Sequence, residues 1–170
     1  MARVRAKVRD TDKGWKQIKK ELAKYRNAYV KVGLPTKTGE KEHDGGKDGE
    51  MSGVTVAAVG WFNEFGTKTI PERSFIRSTH DENIPEIVAM KKRLLAQLYE
   101  KKMGVLKALR VLGTYMKKEI QAKITSLDTP PNAPSTIARK GSSNPLIATG
   151  QMRQSVDYEV VVGRRFRHRI

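Results

Sequence analysis

Two runs of apolar residues at helical spacing constrain this chain more than any other feature. Ile84, Ile87, Val88, Leu94, Leu95 and Leu98 share one face of the first run. Val105, Leu109, Leu112, Met116, Ile120 and Ile124 do the same in the second. Gly104 lies between them as a kink or a break. The stretch TPPNAPS stops the second, because proline removes a backbone donor and restricts the residue before it. Each amphipathic helix must bury its stripe against something. The rest of the chain therefore has to supply a second layer.

Strands are the natural partners. In NAYVKVGLP, Ala28, Val30 and Val32 fall on one face, and Gly33 and Pro35 end the run. In SVDYEVVV, Val156, Tyr158, Val160 and Val162 alternate in the same way. The N-terminal ARVRAKVR also has period two, with Ala2, Val4, Ala6 and Val8 opposite Arg3, Arg5, Lys7 and Arg9. Such a terminal segment reads as an edge strand or an arm. Residues 11–24 are predicted helical, with Thr11 or Asp12 as cap and Trp15, Ile18 and Leu22 as the stripe. Val56, Val59, Trp61, Phe62 and Phe65 fit a short helix better than a strand. SSNPLIATGQMRQSV reads as a turn, one helical turn and the start of a strand. The expected fold class is α+β: a small antiparallel sheet packed with two long helices, with extended basic termini and a long flexible loop. With 170 residues, the expectation is one domain over 1–170. It comprises an N-terminal arm at 1–10, a flexible acidic glycine-rich loop at 36–53 and a basic tail at 164–170. Five glycines between Gly39 and Gly53, with almost no apolar residue, cannot build a core.

Charge narrows the partners. The formal net charge is +16, which favours polyanions or acidic protein surfaces. It is unevenly placed, with eleven Lys or Arg against three acids in residues 1–31. Arg164, Arg165, Arg167 and Arg169 crowd the other end. The chain has no cysteine, so thiol and disulfide chemistry is excluded. No apolar run approaches the roughly 20 residues that cross a bilayer, so no membrane partner is expected. His43, His80 and His168 lack metal-ligand spacing, and EHDGGKDGE lacks the ordered oxygen steps of a calcium loop. There is no nucleophile elbow, phosphate-binding loop or dinucleotide fingerprint. The chain is expected to be no enzyme, with no catalytic residue, metal or cofactor.

The stretch WFNEFGTKTIPERSFIR, residues 61–77, is unusual. Gly66 reads as a helix stop at positive φ, Ile70-Pro71 as an extended dipeptide, and Ser74 as the cap of a following helix. Phe75 and Ile76 then dock into the core. Taken residue by residue, this is a helix stop, a turn and a helix start.

The whole pattern resembles the signature of tail-completion or neck proteins of tailed bacteriophages, the virion-morphogenesis or minor-tail-component family. The residues that carry it are Ala58, Asn63, Glu64, Phe65, Gly66, Thr67, Ile70, Pro71, Arg73, Phe75 and Arg77. A second family feature, P-L-x-x-T-G-x-M/L-x-x-S-V/I, matches Pro145, Leu146, Thr149, Gly150, Gln151, Met152, Ser155 and Val156. The resemblance covers roughly residues 25–163, with the two features in the family's order and the long helices between them.

The resemblance implies a structural virion protein, assembled in the host cytoplasm and resident in the tail or neck. It would form a homo-oligomeric ring, of six or twelve copies, at the head–tail joint. Such a ring completes the tail tube as a tail terminator, or serves as collar or head-tail connector. Its partners would be portal-side neck proteins and tail tube or sheath proteins, near packaged DNA. Arg3, Arg5, Lys7, Arg9, Arg164, Arg165, Arg167 and Arg169 are the candidate assembly contacts, toward protein rather than DNA. The alternative reading is a basic nucleic-acid-binding protein. Its charge supports that, but no recognition-helix or stacking motif accompanies it.

Overall fold

The computed structural model describes residues 14–44 and 53–163. The N-terminal arm, the caps Thr11 and Asp12, and the arginine tail lie outside the described residues. The elements run α1 (Trp15–Lys24), β1 (Ala28–Gly33), α2 (Thr36–Gly39), α3 (Val56–Phe65), α4 (Arg77–Glu82), α5 (Ile84–Tyr99), α6 (Val105–Ser126), α7 (Pro134–Lys140), α8 (Gln151–Ser155) and β2 (Asp157–Val162). The fold class is α+β, as the periodicities indicate.

β1 and β2 form a two-stranded antiparallel sheet, with Ala28 opposite Val162 and Gly33 opposite Asp157. Val30, Val32, Tyr158 and Val160 share the face that α6 covers. Gly113 makes that contact possible. A Cβ there would lie 2.5 Å from the Tyr158 ring and 2.9 Å from Val30 Cγ2. The helix backbone thus rests directly on the sheet. α6 is the element that packs on both strands, while α5 packs against α6.

The core gathers Val56, Val59, Phe75, Ile120, Ile124, Leu146, Met152 and Val156, from both ends of the chain. α6 brings Ile120 and Ile124 one turn apart to its centre. The stripe of α5 is only partly used. Ile87 and Leu94 are buried, but Ile84, Val88, Leu95 and Tyr99 stay exposed.

The insert differs from the expected loop. Thr36–Gly39 is a short helix whose Gly39 is buried, and a Cβ there would stand 2.7 Å from the Leu34 carbonyl oxygen. Glu42 bridges Thr55, His43 N–H donates to the Val54 carbonyl, and the Gln151 side chain bonds both Asp44 N–H and the Glu42 carbonyl. Glycine-rich composition suggested an open loop over 36–53, but backbone pairing joins residues 41–43 to 54–56 at the insert's base. Residues 45–52 lie outside the described residues. α7 was not foreseen, because its prolines read as a stop; Pro134 stands in the first turn of α7, where its missing donor costs nothing.

Gly113→Leu should overpack the α6–sheet contact. We expect a loss of about 1–3 kcal/mol, read by chemical denaturation. Stability equal to the parent's would mean that α6 can lift off the sheet without cost.

Candidate functional site

The first sequence feature spans α3, a turn and α4. Thr55 caps α3 by accepting from Ala58 N–H at 3.2 Å. Val56, Val59, Gly60 and Glu64 face inward from α3. At Gly60 a Cβ would overlap the Leu34 side chain, so the helix sits hard against it. Trp61 and Phe65 turn the other way and are 61% and 43% exposed. Their ring centroids are 4.1 Å apart. The helical reading of this stretch holds, but its aromatics are not all core.

α3 ends at Gly66, with φ 71° and ψ 172°. Only glycine adopts that region readily. A Cβ would also stand 3.0 Å from Glu72 N and 3.1 Å from the Ile70 carbonyl oxygen. Thr67 then closes a tight turn. Its N–H donates to the Ile70 carbonyl at 2.8 Å, and its hydroxyl accepts from Thr69 and Ile70 N–H. Asn63 holds the returning chain: its side chain donates to the Val59 carbonyl, and its own carbonyl accepts from Arg73 N–H at 2.7 Å. Pro71 lies in the exposed outer limb of the turn.

Glu64 is the centre of this unit. It is 3% exposed. Its Oε2 accepts from Phe75 N–H at 2.7 Å and Ile76 N–H at 2.8 Å. Its Oε1 accepts from Ser74 Oγ at 2.9 Å, Arg77 N–H at 3.0 Å and Arg77 Nε at 3.0 Å. The carboxylate thus replaces a local N-cap, which Ile76 at that position cannot provide. Negative charge at a helix start is favoured by the aligned peptide dipoles. Burial alone would raise the Glu64 pKa. The N–H bonds from Ile76, Arg77 and Phe75, with the Ser74 hydroxyl, outweigh it and hold the carboxyl below its ordinary value. Ser74, the expected cap, has a shared role: it accepts from Ser78 N–H at 3.2 Å while donating to Glu64.

Arg77 ties the unit to the surface. Its Nη2 donates to the Glu64 carbonyl and, at 2.6 Å, to Glu72. Its guanidinium lies 4.5 Å from the Phe65 ring centroid. The bonds to Glu64 and then Glu72 push its pKa up.

Arg73 ties the first feature to the stretch that precedes the second. It is 6% exposed. It donates to the carbonyls of Pro130 and Pro131, at 2.8 and 3.2 Å, and to Asn132 Oδ1 at 3.3 Å. Lys140 lies nearby and donates to the carbonyls of Asn144 and Pro145. Burial, and then the Arg73 charge, lower the Lys140 pKa. Leu146 and Met152 enter the same core as Phe75. Thr149 accepts from Gln151 N–H, and Gly150, at φ 82°, opens α8. Ser155 is buried, and its carbonyl accepts from Thr38 Oγ1 at 2.6 Å. The two sequence features therefore meet in one core, through Phe75, Leu146, Met152 and Val156. The eight terminal cations named above lie outside the described residues.

Sequence reasoning treated Glu64 and Arg73 as pattern members and missed their chemistry. A signal for Glu64 was present. It continues the inward row Val56, Gly60, Glu64 at steps of four, and an acid on a buried face needs donors. No local pattern announces the carbonyls that Arg73 finds near residue 130.

The geometry suits holding chain segments together. Both Glu64 oxygens are saturated by donors, leaving little capacity to relay a proton. Among the described residues, no group of three His, Cys, Asp or Glu could hold a metal ion. Compared with protein-family models, curated proteins and solved structures, the chain matches none.

Two substitutions test the unit. Glu64→Gln puts an amide donor where donors already converge, and we expect about 3 kcal/mol of lost stability. The folded Glu64 pKa is depressed, so its contribution is present above the ordinary value of 4.5 and is lost as pH falls through the folded value. Denaturation midpoints followed into acid should fall more steeply for the parent than for Glu64→Gln. Gly66→Val should cost a further, separate amount of about 1–3 kcal/mol or prevent folding, seen as insoluble expression or a lowered midpoint. A soluble Gly66→Val with the parent's midpoint would contradict the turn.

Proposed function

We propose that the chain is a structural virion subunit of the tail-completion or neck type. It forms a homo-oligomeric ring at a phage head–tail joint, and there it ends the tail tube or joins it to the connector. The observation that carries this reading is the convergence of the two resembling stretches on one core. Residues about eighty positions apart enter one core, Phe75 with Leu146 and Met152, and Arg73 clasps the chain near Pro130.

The surface supports a subunit that completes itself against neighbours. Ile84, Val88, Leu95 and Tyr99 are exposed along α5, and Trp15 stacks on Tyr99 with ring centroids 6.2 Å apart. Trp61 and Phe65 form a second exposed group beside Arg77. Large aromatic and arginine side chains of this kind dominate protein interfaces. Identical subunits that repeat one heterologous contact close into a ring. Among the described residues no helix is long and apolar enough to cross a membrane, and no step of this reading needs one.

The full-length chain should therefore show one discrete large mass, of six or twelve copies, by sedimentation or native mass measurement, and annular particles by electron microscopy. A monomer that shifts DNA in a salt-dependent manner would overturn the ring in favour of nucleic-acid binding.

A further inference from the structure

The sheet has only two strands among the described residues, so each strand leaves an edge without a strand partner. Two strands alone are marginal in water, and an open edge is a template for another strand. The two edges are not equivalent. β1 carries Lys31 at its centre, a residue that discourages strand addition. β2, DYEVVV, has no proline, lysine or arginine and ends in three valines.

The ladder defines what that edge offers. Gly163 N–H donates to the Asn27 carbonyl just beyond the strands. Hydrogen-bonded pairs alternate from there, so Val160 and Val162 turn their N–H and C=O groups outward. The side chains of β2 also divide by face. Tyr158, Val160 and Val162 share the α6 side, and Glu159 and Val161 lie on the opposite side. Glu159 is exposed, with Lys31 directly opposite it on β1 but no ion pair formed between them, so it is open to further cations. Asp157, by contrast, is neutralised by Lys117 at 3.0 Å.

We propose that residues 2–9 of a neighbouring copy add to β2 as a third strand. The segment has the matching pattern, with Ala2, Val4, Ala6 and Val8 on one side and Arg3, Arg5, Lys7 and Arg9 on the other. Its apolar side would extend the Tyr158–Val160 face over α6, and its cations would flank Glu159. Opposite charges across strands favour pairing. Eight extended residues span roughly 26 Å, enough for a six-residue strand of about 20 Å. The donor is a neighbouring copy because the ring reading requires each subunit to reach the next. The contact is heterologous, as ring closure requires, and the inference rests on the ring reading above.

The test uses full-length chains and sedimentation velocity. Glu159→Lys, and separately a chain with Arg3→Glu, Arg5→Glu and Arg9→Glu, should each weaken self-association at least tenfold while keeping the parent's circular dichroism. An equimolar mixture of the two should recover it, because each acceptor then meets an arm of opposite charge on a different chain. Parent-like assembly by Glu159→Lys would overturn the strand addition and leave the ring standing. So would a mixture that fails to recover. A parent chain that is itself monomeric would overturn the ring, and the strand addition with it.

Discussion

A single buried carboxylate organises the part of this protein that its sequence marks most strongly. Glu64 sits at the end of α3 and caps α4, which begins thirteen residues later at Arg77. Five donors converge on its two oxygens. A buried charge is tolerated only when its hydrogen bonds are complete, so the segment between must return to one position. Gly66, the Thr67 turn and Asn63 are the means of that return. Phe75 is thereby fixed at the centre of the core, and Arg77 is held over Phe65 at the surface.

From that anchor the structure spreads in two directions. Arg73 reaches the carbonyls around residue 131 and fixes the stretch that leads to Leu146 and α8. α6 crosses from this core to the sheet, with Ile120 and Ile124 at one end and Gly113 on the strands in its middle. Among the described residues, half of the α5 stripe and the Trp61–Phe65 pair are exposed, and each strand has one strand partner. Exposed apolar groups of this size mark interaction surfaces, and under the proposed ring neighbouring copies would cover them. The two exposed aromatic groups and the β2 edge are chemically distinct surfaces.

Much of the architecture was legible along the chain because it rests on local periodicity. The period of 3.6 in 84–98 and 105–124 and the period of two in 28–33 and 157–162 decided helix and strand. Gly66 was legible as a positive-φ stop, and Gln151–Ser155 as a single turn before a strand. Composition misled at 36–44, where glycine and charge read as open loop but a short helix forms and backbone from 54–56 and the Gln151 side chain pair with 41–44. α7 was hidden because its prolines look like a pure stop.

What the sequence determined by itself was the two long helices, the two strands and the strongly cationic ends, since these depend on neighbours within a few residues. Only the tertiary structure decided that Glu64 is a remote helix cap, that Arg73 lies buried against carbonyls, and that Gly113 is a contact surface rather than a helix weakness. It also decided which half of the α5 stripe is core. The physical reason is the same in each case. Periodicity fixes which way a side chain points, but whether a charge finds donors or a methyl finds a wall depends on segments that meet only when the chain has folded.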